Sequence, residues 1–544
     1  MYHTIRWTSE KIRQRLQFIE PLAYRRRLTL PPFRCLALEG PAVEAPVAPD
    51  VDDSAWPAIP WESEWGRPDM NFLLRTRFQV PAAWAPDGGP LALFLPIGRI
   101  DEFNHPEALA YLDGQALAGC DRHHEEILLP EGCTDGAAHL LALHGWTGGA
   151  PALRFDLEGP PPPPPWTRLP MGTGQLVQID PPTRELLALG RVALGVAAAL
   201  PEREPARGHL MTTLDEAFKV LDTRDPLGDA FYTSVPAALE VLRSGIDRSG
   251  APLEVEVWAA GHAHIDVAWL WTLDQTRLKA GRTFHNVVRL MERFPAFHFV
   301  QSQAQLYEFV RRDYPALFQE IAGCVAEGRW EPVGGMWVEA DCNVTGPESL
   351  ARQFLLGTGY FRQHFGDRGE TPVLWLPDVF GFPWSLPQLA REAGQRYFFS
   401  TKMGWSQYNR FPYDSFWWQG LDGSRLLAHF SPSREGEYSF AGTYNALATP
   451  ETVLNTWGDF QQKDWGRPGE APPLLMVYGH GDGGGGPTAE MIEVGQRLAD
   501  YPGSAHVVLG SANGFFHDLE SRVQGKAVPT WEGELYPEAR WNSH

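Results

Sequence analysis

The stretch "LEVEVWAAGHAHID", residues 253–266, joins an apolar run to a sudden cluster of histidine and aspartate. Its first part has the pattern of a strand. The segments after it alternate between helical and strand-like patterns as far as "PLLMVYGHGDGGGG", residues 473–486. Strands separated by helices are typical of a parallel sheet, either open or closed into a barrel. The stretch therefore predicts the first strand of an α/β domain with a parallel, barrel-like sheet.

The polar end of this stretch has the composition of a metal site. Residues two apart in an extended segment point the same way, so His262, His264 and Asp266 are expected to share a face. Imidazole and carboxylate together suit zinc or a similar divalent ion. The triplet alone is equally compatible with a strand end that carries a hydrogen-bonded histidine.

Other predicted strands also end in polar residues. Glu339 and Asp341 follow "GGMWV", Asp378 ends "VLWLP", and His480 and Asp482 follow "LLMVY". The carboxyl ends of parallel strands meet at one edge of a sheet, and ligands bind there. We therefore expect one polar pocket that holds a cation and paired carboxylates. Each motif also has a simpler reading, such as a helix N-cap for Asp378 or a flexible glycine loop around Asp482.

The rest of the chain divides by composition into further units. Short apolar segments between prolines and glycines are typical of a β-sandwich, whereas longer periodic segments indicate helices. The predicted units are a helix at 1–30, a β-sandwich-like domain at 31–165 that ends in a polyproline stretch, a mainly helical linker region at 166–250, the α/β catalytic domain at 251–525, and the start of a following domain at 526–544.

Composition limits the partners and the compartment. A net charge of −21 argues against nucleic-acid binding, which needs clustered Lys and Arg. The most apolar stretch, residues 185–200, contains Arg191 and is shorter than the ~20 residues of a membrane span. Five scattered cysteines without a CxxC pair favour a reducing compartment. We therefore expect a cytoplasmic protein without nucleic-acid or membrane partners; a homo-oligomer is compatible with the sequence.

Several long segments, in this order, resemble the α-mannosidases of glycoside hydrolase family 38, in the cytosolic and microbial branch with an N-terminal extension. The matching segments are "GHAHIDVAWLW", "FVQSQAQLYEFV", "EGRWEPVGGMWVEADCN", "WLPDVFGFPWSLPQ", "FFSTKMGW", "FWWQGLDGSRLLAHF" and "YGHGDGGGGPT". Ordered blocks of this length are far more specific than any single motif. The resemblance implies retaining hydrolysis of terminal α-linked mannose in oligosaccharides, through an aspartyl glycosyl-enzyme.

The resemblance also implies roles for individual residues. It gives metal ligands at His264, Asp266 and Asp378, and the nucleophile at Asp378. It places the acid/base at Asp482, with Asp341 and Glu339 as alternative candidates for that role, and substrate contacts at Trp269, Phe380, Lys402 and Asp341. Zinc is the usual ion, and cobalt or another divalent ion is an alternative. His262 matches the motif but is not itself a ligand in the family.

One segment departs from the family pattern. The family supplies a further metal-binding histidine after "GELY", and here Arg540 stands at that place in "WEGELYPEARWNSH", residues 531–544. The family's C-terminal helical and β domains are missing from the sequence. We therefore expect weak or absent activity from this chain alone, since the terminal His544 is a poor replacement ligand.

Two other functions stay open at this point. A different metal-dependent hydrolase on a β/α barrel, such as an amidohydrolase, also begins with HxH after its first strand, but it would need further histidines on later strands. A non-catalytic carbohydrate-binding protein would keep the pocket without turnover.

Overall fold

The computed structural model describes residues 8–42, 44–84, 88–100, 105–149, 166–406, 408–434, 442–463 and 471–538. The N-terminal part begins with one helix and continues as strands. Its elements are α1 Thr8–Ile19, a 3-10 turn Glu20–Ala23, β1 Tyr24–Thr29, β2 Phe33–Leu38, β3 Ala58–Ile59, β4 Glu64–Trp65, β5 Asn71–Gln79, β6 Leu91–Phe94, β7 Glu107–Leu112, β8 Gln115–Cys120, β9 Glu126–Leu128, a 3-10 turn Glu131–Thr134, β10 Ala138–Trp146, β11 Leu169–Pro170 and β12 Gln175–Ile179.

The predicted helix over 1–30 is wrong in its last part. The helix α1 ends at Ile19, and the "YRRR" segment lies in strand β1. Pro21 sits in the 3-10 turn between them, where its missing N–H cannot continue the helix. Strand β1 instead pairs antiparallel with β12, a partner about 150 residues away that local periodicity cannot reveal.

Two antiparallel sheets form the predicted β-sandwich. One has the strand order β1-β12-β6-β9 and the other the order β3-β2-β5-β10-β7-β8. Their inner faces share one apolar core, which includes Phe72, Leu93, Leu141 and Leu176. The sandwich extends beyond the predicted limits of 31 and 165, because β1 and β12 complete its smaller sheet. The polyproline stretch lies outside the described residues.

The region predicted as a helical linker is a packed helical layer. It contains α2 Pro181–Ala199, α3 Pro205–Val220 and α4 Asp229–Asp247. Asp180 begins α2 by accepting a hydrogen bond from the Thr183 N–H at 3.0 Å. Apolar side chains of all three helices belong to the same core as the α/β domain. None of the described helices is long and apolar enough to cross a bilayer.

The α/β domain follows at residue 253. Its elements are β13 Leu253–His262, α5 Leu273–Arg293, β14 Phe299–Gln301, α6 Ala304–Asp313, α7 Pro315–Ala326, β15 Trp330–Pro332, α8 Pro347–Phe365, a 3-10 turn Gly366–Gly369, β16 Val373–Trp375, α9 Leu386–Glu392, β17 Tyr397–Ser400, a 3-10 turn Lys402–Trp405, β18 Ser415–Gln419, β19 Arg425–Phe430, α10 Pro450–Asp459, β20 Leu474–Tyr478, α11 Ala489–Arg497, a 3-10 turn Leu498–Asp500, β21 Ala505–Leu509, α12 Ala512–Val523 and β22 Thr530–Glu532.

The strands of this domain form two mainly parallel sheets. In the first, β13 pairs in parallel with β14, β20 and β21, and β14 pairs with β15. The second has the order β16-β17-β19-β18-β22. Hydrogen bonds join the two sheets on both sides, from Gly334 N to Val373 O at 2.9 Å on one side and from Ser431 Oγ to Leu475 O at 3.0 Å on the other. The parallel α/β class is therefore confirmed.

Two sequence expectations for this domain need correction. Within "RWEPVGGMWVEAD" only Trp330–Pro332 is a strand, because Gly334 and Gly335 have φ of +86° and +67° and turn the chain away. The segment from 526 also does not begin a separate domain where it is described. Strand β22 pairs in parallel with β18, and Leu535 pairs with Phe382. Arg540 and His544 lie outside the described residues.

Helix α5 connects the α/β domain to the sandwich through buried polar contacts. Glu107 of β7 accepts hydrogen bonds from Lys279 and, at 2.5 Å, from Arg282. Asn286 accepts from the Gly119 N–H of β8 at 2.7 Å. All three charged side chains are at most 6% exposed. The sandwich is therefore held in a fixed orientation against the helix that follows the HxHxD stretch.

Candidate active site

His264 and Asp266 lie in the loop directly after β13, and His262 is the last residue of that strand. The His262 ring is fully buried, and its Nδ1 lies 2.9 Å from the Val300 carbonyl oxygen. Burial lowers the pKa of His262 to about 3, so it is neutral. Of the three residues expected to share a face, His264 and Asp266 are in contact with each other, whereas His262 bonds to strand β14.

His264 lies among three carboxylates. Its Nε2 is 3.3 Å from Asp266 Oδ1 and 3.5 Å from Asp378 Oδ2. Its Nδ1 faces Glu339 Oε2 at 3.6 Å. The His264 side chain is 3% exposed, so it lies at the closed end of the pocket.

Asp378 follows β16 and is held by two further side chains. The Lys402 ammonium lies 2.6 Å from Asp378 Oδ1, and the Tyr444 hydroxyl lies 2.9 Å from Asp378 Oδ2. Lys402 also stacks over the Trp405 ring, at 3.6 Å from its centroid. The Lys402 side chain is 3% exposed, so its charge is directed at Asp378 rather than at solvent.

Asp482 faces Asp378 across Tyr444. The Tyr444 hydroxyl lies 3.0 Å from Asp482 Oδ1, and the Asn445 amide donates to Asp482 Oδ2 at 3.2 Å. Asp482 has φ of +53°, a left-handed conformation that costs a non-glycine residue about 1–2 kcal/mol. The glycines around it allow the loop of residues 480–487 to make this turn.

Burial and the charges of the pocket together raise the pKa values of three of its members. Burial, reinforced by the charges of Asp378 and Asp266, raises the pKa of Asp482 to about 7. Burial and the same two charges raise the pKa of Glu339 to about 7. Burial alone would lower the pKa of His264, but the charges of Asp266 and Glu339 outweigh it and raise this pKa well above its ordinary value. The pocket therefore carries more negative charge than its own cations balance.

The donor set fits a divalent cation. Among the described residues, one group of three side chains has ligand atoms that all lie within 4.8 Å of one another, namely His264, Asp266 and Asp482. Asp378 lies beside this group through its contact with His264. One imidazole nitrogen with carboxylate oxygens is a donor set for zinc or a similar ion. The second ring nitrogen of His264 faces Glu339, as is usual for histidines that ligate metals.

Two of the predicted substrate contacts, Trp269 and Phe380, are partly exposed aromatic rings. Trp269 is 41% exposed and meets Trp271 edge-on, and Phe380 is 37% exposed and meets Trp405 edge-on. Exposed rings of this kind are suited to contact the apolar face of a sugar. Asp341 is also exposed, but its carboxylate accepts hydrogen bonds from the Asn343 and Val344 N–H groups of its own turn.

Two site residues were not found from the sequence. Tyr444 and Asn445 lie in a loop without periodicity, and the segment "TYNALATP" contains no motif that points to catalysis. The two residues stand out only because they lie close to the predicted acid/base in space. A single sequence does not show which residues are close in space. Within the family-like segment "FVQSQAQLYEFV", Gln303 donates to the Ile265 carbonyl at 2.9 Å, which steadies the HxHxD loop.

Comparison with known proteins identifies the family. The profile described as "Glycosyl hydrolases family 38 N-terminal domain" matches residues 254–534. Alpha-mannosidase 2C1 of Homo sapiens is 36% identical over 345 residues, which are 63% of this chain and 31% of that protein. Alpha-mannosidase G of Dictyostelium discoideum is 39% identical over 283 residues, 52% of this chain and 24% of that protein.

A solved structure is also similar. The crystal structure of an alpha-mannosidase from Enterococcus faecalis V583 has a TM-score of 0.41 and 19% identity, and the match covers 52% of this chain and 31% of that one. This chain spans a third or less of the length of the two relatives. The profile match covers more than half of the chain and includes every residue of the pocket. The chain therefore belongs to glycosyl hydrolase family 38.

Proposed function

We propose that this chain contains the catalytic site of an enzyme that hydrolyses terminal α-linked mannose in oligosaccharides with retention of the anomeric configuration. The observation that carries the proposal is the placement of Asp378 and Asp482 on either side of one hydroxyl. Tyr444 contacts both, at 2.9 and 3.0 Å, so the two carboxyl oxygens lie at most about 6 Å apart. Retaining glycosidases have carboxyl groups about 5–5.5 Å apart, whereas inverting enzymes need about 6.5–9.5 Å for a water molecule.

The raised pKa of Asp482, together with the contacts of Tyr444 and Lys402, supports Asp482 as the acid. A phenol has one proton and cannot donate to both aspartates at once. With Asp482 protonated, Asp482 donates to the tyrosine oxygen and Tyr444 donates to the Asp378 carboxylate. Lys402 stabilises negative charge on Asp378 from the other side. Asp378 is thus the nucleophile that attacks the anomeric carbon, and Asp482 protonates the departing oxygen.

Hydrolysis of the glycosyl-enzyme uses the same residues in reverse. Asp482, now a carboxylate, accepts a proton from a water molecule that attacks the anomeric carbon and releases Asp378. Asn445 and Tyr444 keep Asp482 oriented for both steps. Trp269 and Phe380 would line the sugar-binding position, and Lys402 would reach the sugar next to the nucleophile.

A divalent cation, zinc or cobalt, would be held by His264, Asp266 and Asp378. It would orient the sugar by binding hydroxyl groups and favour the distorted ring of the transition state. The two relatives compared above are both alpha-mannosidases, which supports mannose as the sugar. Asp482 lies within ligand distance as well, and its assignment as the acid rests on its bonds to Tyr444 and Asn445.

The test is turnover of p-nitrophenyl α-mannoside by the purified chain, with the anomer released first identified by proton NMR. We expect α-mannose as the first product, and no release by Asp378→Asn. Asp422→Asn, an exposed turn residue bonded to Ser424, is the matched control and should behave as the parent. A parent that binds mannose but releases no more product than Asp378→Asn would contradict the proposal and favour a carbohydrate-binding protein.

A further inference from the structure

The loop that carries Asp482 is pressed against the β-sandwich. One pair of backbone hydrogen bonds defines its shape: His480 N to Gly486 O at 2.9 Å, and Gly486 N to His480 O at 2.8 Å. Gly483 and Gly485 both have φ of +86°, which L side chains rarely adopt. The loop therefore has little intrinsic preference for the one conformation that directs Asp482 into the pocket.

The sandwich supplies the contacts that fix this conformation. Its loop between β8 and β9, residues 121–124, bonds to the far end of the Asp482 loop, since His124 Nε2 lies 3.1 Å from the Pro487 carbonyl oxygen. The His123 ring stacks flat on the His480 ring, with centroids 3.5 Å apart and planes 12° apart. Both ends of the Asp482 loop are thus held by neighbouring residues of the other domain.

Asp121, His123 and His124, which we call the clamp, are held in place by contacts among themselves. Asp121 accepts hydrogen bonds from the backbone N–H groups of His123 and His124, at 2.7 and 3.0 Å, and its carboxylate lies 3.0 Å from His124 Nδ1. The side chains of Asp121 and His124 are 8% and 11% exposed. Because the second nitrogen of His124 faces a carbonyl oxygen, the ring must donate there.

The fit between the two loops leaves no spare room. A Cβ on Gly485 would lie 2.5 Å from Asp121 Oδ2, and a Cβ on Gly483 would lie 2.6 Å from Lys279 Nζ. Lys279 is in turn bonded to Glu107 of the sandwich. The outer side of the Asp482 loop is therefore packed against residues that the sandwich positions.

We propose that Asp121, His123 and His124 of the β-sandwich are positioning residues for Asp482, so that the N-terminal domain is a working part of the catalytic apparatus. The proposal rests on the function proposed above, in which Asp482 is the acid. Loss of the clamp should let the loop leave its left-handed conformation and move the acid away from the departing oxygen. Attack by Asp378 on the anomeric carbon should be unaffected.

The test compares two substrates that differ in their need for an acid. A dinitrophenyl α-mannoside has a leaving group that departs without protonation, whereas a methyl α-mannoside requires a proton. For His124→Ala we expect kcat/KM to fall roughly 10–100-fold on the methyl mannoside, part of the ~10²–10⁴ that general acid catalysis supplies, and to stay within about threefold on the dinitrophenyl mannoside. His124→Gln, which keeps a donor for Pro487, should recover part of the loss.

The matched control is His139→Ala. His139 is a buried histidine of the same sandwich, with its Nδ1 2.7 Å from Asp113 Oδ2, and it lies on strand β10 rather than in the clamp. His139→Ala should leave kcat/KM on both substrates unchanged. Equal losses on the two substrates in His124→Ala, or no loss on either, would overturn the proposal.

Hydrogen–deuterium exchange provides a readout that needs no turnover. The amides of residues 480–487 should exchange at least about tenfold faster in His124→Ala than in the parent and His139→Ala, since local opening becomes easier. Unchanged exchange would overturn the clamp. A parent that cleaves neither mannoside, with exchange faster only in His124→Ala, would instead contradict the proposed function while the clamp itself stands.

Discussion

Two clusters of charged side chains in this chain differ in how their charges are balanced. In the pocket cluster, four carboxyl groups face two cationic side chains; its members are His264, Asp266, Glu339, Asp378, Lys402 and Asp482. In the interface cluster, the single carboxylate of Glu107 lies between Lys279 and Arg282. The first has unbalanced negative charge, and the second has a hydrogen-bonded partner for every oxygen of its carboxylate.

This difference distinguishes a catalytic site from a contact that stabilises the fold. Buried charges are tolerated when partners are present, and removal of one partner then destabilises the fold. Burial and, after it, the nearby charges of Asp378 and Asp266 raise the pKa values of Asp482 and Glu339, and crowded carboxyl groups favour a bound cation. Substitutions in the pocket cluster should therefore change activity more than stability, and those in the interface cluster should do the reverse.

The largest effect is expected for Asp378→Asn. Removal of the nucleophile should lower kcat at least ~10³-fold. Asp378→Asn also removes the ion pair with Lys402, but relief of the crowding with Asp266 and Asp482 should offset this loss, so the free energy of unfolding should change little. Turnover of p-nitrophenyl α-mannoside and urea denaturation measure the two quantities. A variant that loses stability together with activity would show that Asp378 belongs with the structural charges.

Glu107→Gln should show the opposite behaviour. It leaves Lys279 and Arg282 buried without a carboxylate, which typically costs about 3–5 kcal/mol of stability. Urea denaturation of the variant should show this loss. Glu348→Gln, which breaks an exposed pair with Arg352, is the control and should cost no more than ~0.5 kcal/mol. A loss as small as the control's would show that the interface cluster does not hold the domains together.

Tyr444→Phe is the next largest change. It removes the hydroxyl between Asp378 and Asp482, and hydrogen bonds to charged groups contribute about 1.5–3 kcal/mol each. We expect kcat to fall about 10–100-fold, the factor in rate that a loss of this size corresponds to. Steady-state kinetics on p-nitrophenyl α-mannoside would measure it, and an unaltered kcat would show that the two carboxyl groups act without the bridge.

The smallest effect concerns a balanced charge far from the pocket. Asp215 accepts hydrogen bonds from Lys11 and Lys219 at 2.6 and 2.8 Å. Burial alone would raise the pKa of Asp215, but these two contacts outweigh it and lower the pKa to about 2. Its contribution to stability is thus present above an unfolded-state pKa of about 3.9 and is lost as the pH falls toward 2.

The measurement is the difference in unfolding free energy between the parent and Asp215→Asn at two pH values. The difference should be clear at pH ~7 and should shrink when the pH is lowered below about 3, since the carboxylate becomes protonated. The control is Asp229→Asn. The Asp229 side chain pairs with Arg25 but is 94% exposed, so the variant should differ little from the parent at either pH. A difference for Asp215→Asn that is independent of pH would contradict the assignment.

Local patterns predicted much of the α/β domain. Strand β13, helix α5 and the convergence of Asp378 and Asp482 at one edge follow from periodicity and from the geometry of parallel sheets. These features are encoded within short segments, so a single sequence contains them.

Long-range contacts could not be predicted. The pairing of β1 with β12, the bridge made by Tyr444, and the contact of His124 with Pro487 join residues that are far apart in sequence. Nothing in the local composition of either partner indicates the other. The family resemblance supplied the roles of His264 and Asp266, which spacing alone left open between a metal site and a strand end.

Zinc binding by the metal-free chain tests the central claim most directly. Calorimetric titration with Zn²⁺ should show one site in the parent, an affinity at least ~100-fold weaker in Asp266→Asn, and an affinity close to the parent's in Asp482→Asn if Asp482 is the acid. A parent that takes up no zinc, or an Asp266→Asn variant that binds it as tightly as the parent, would contradict the account of the pocket as a cation-dependent mannosidase site.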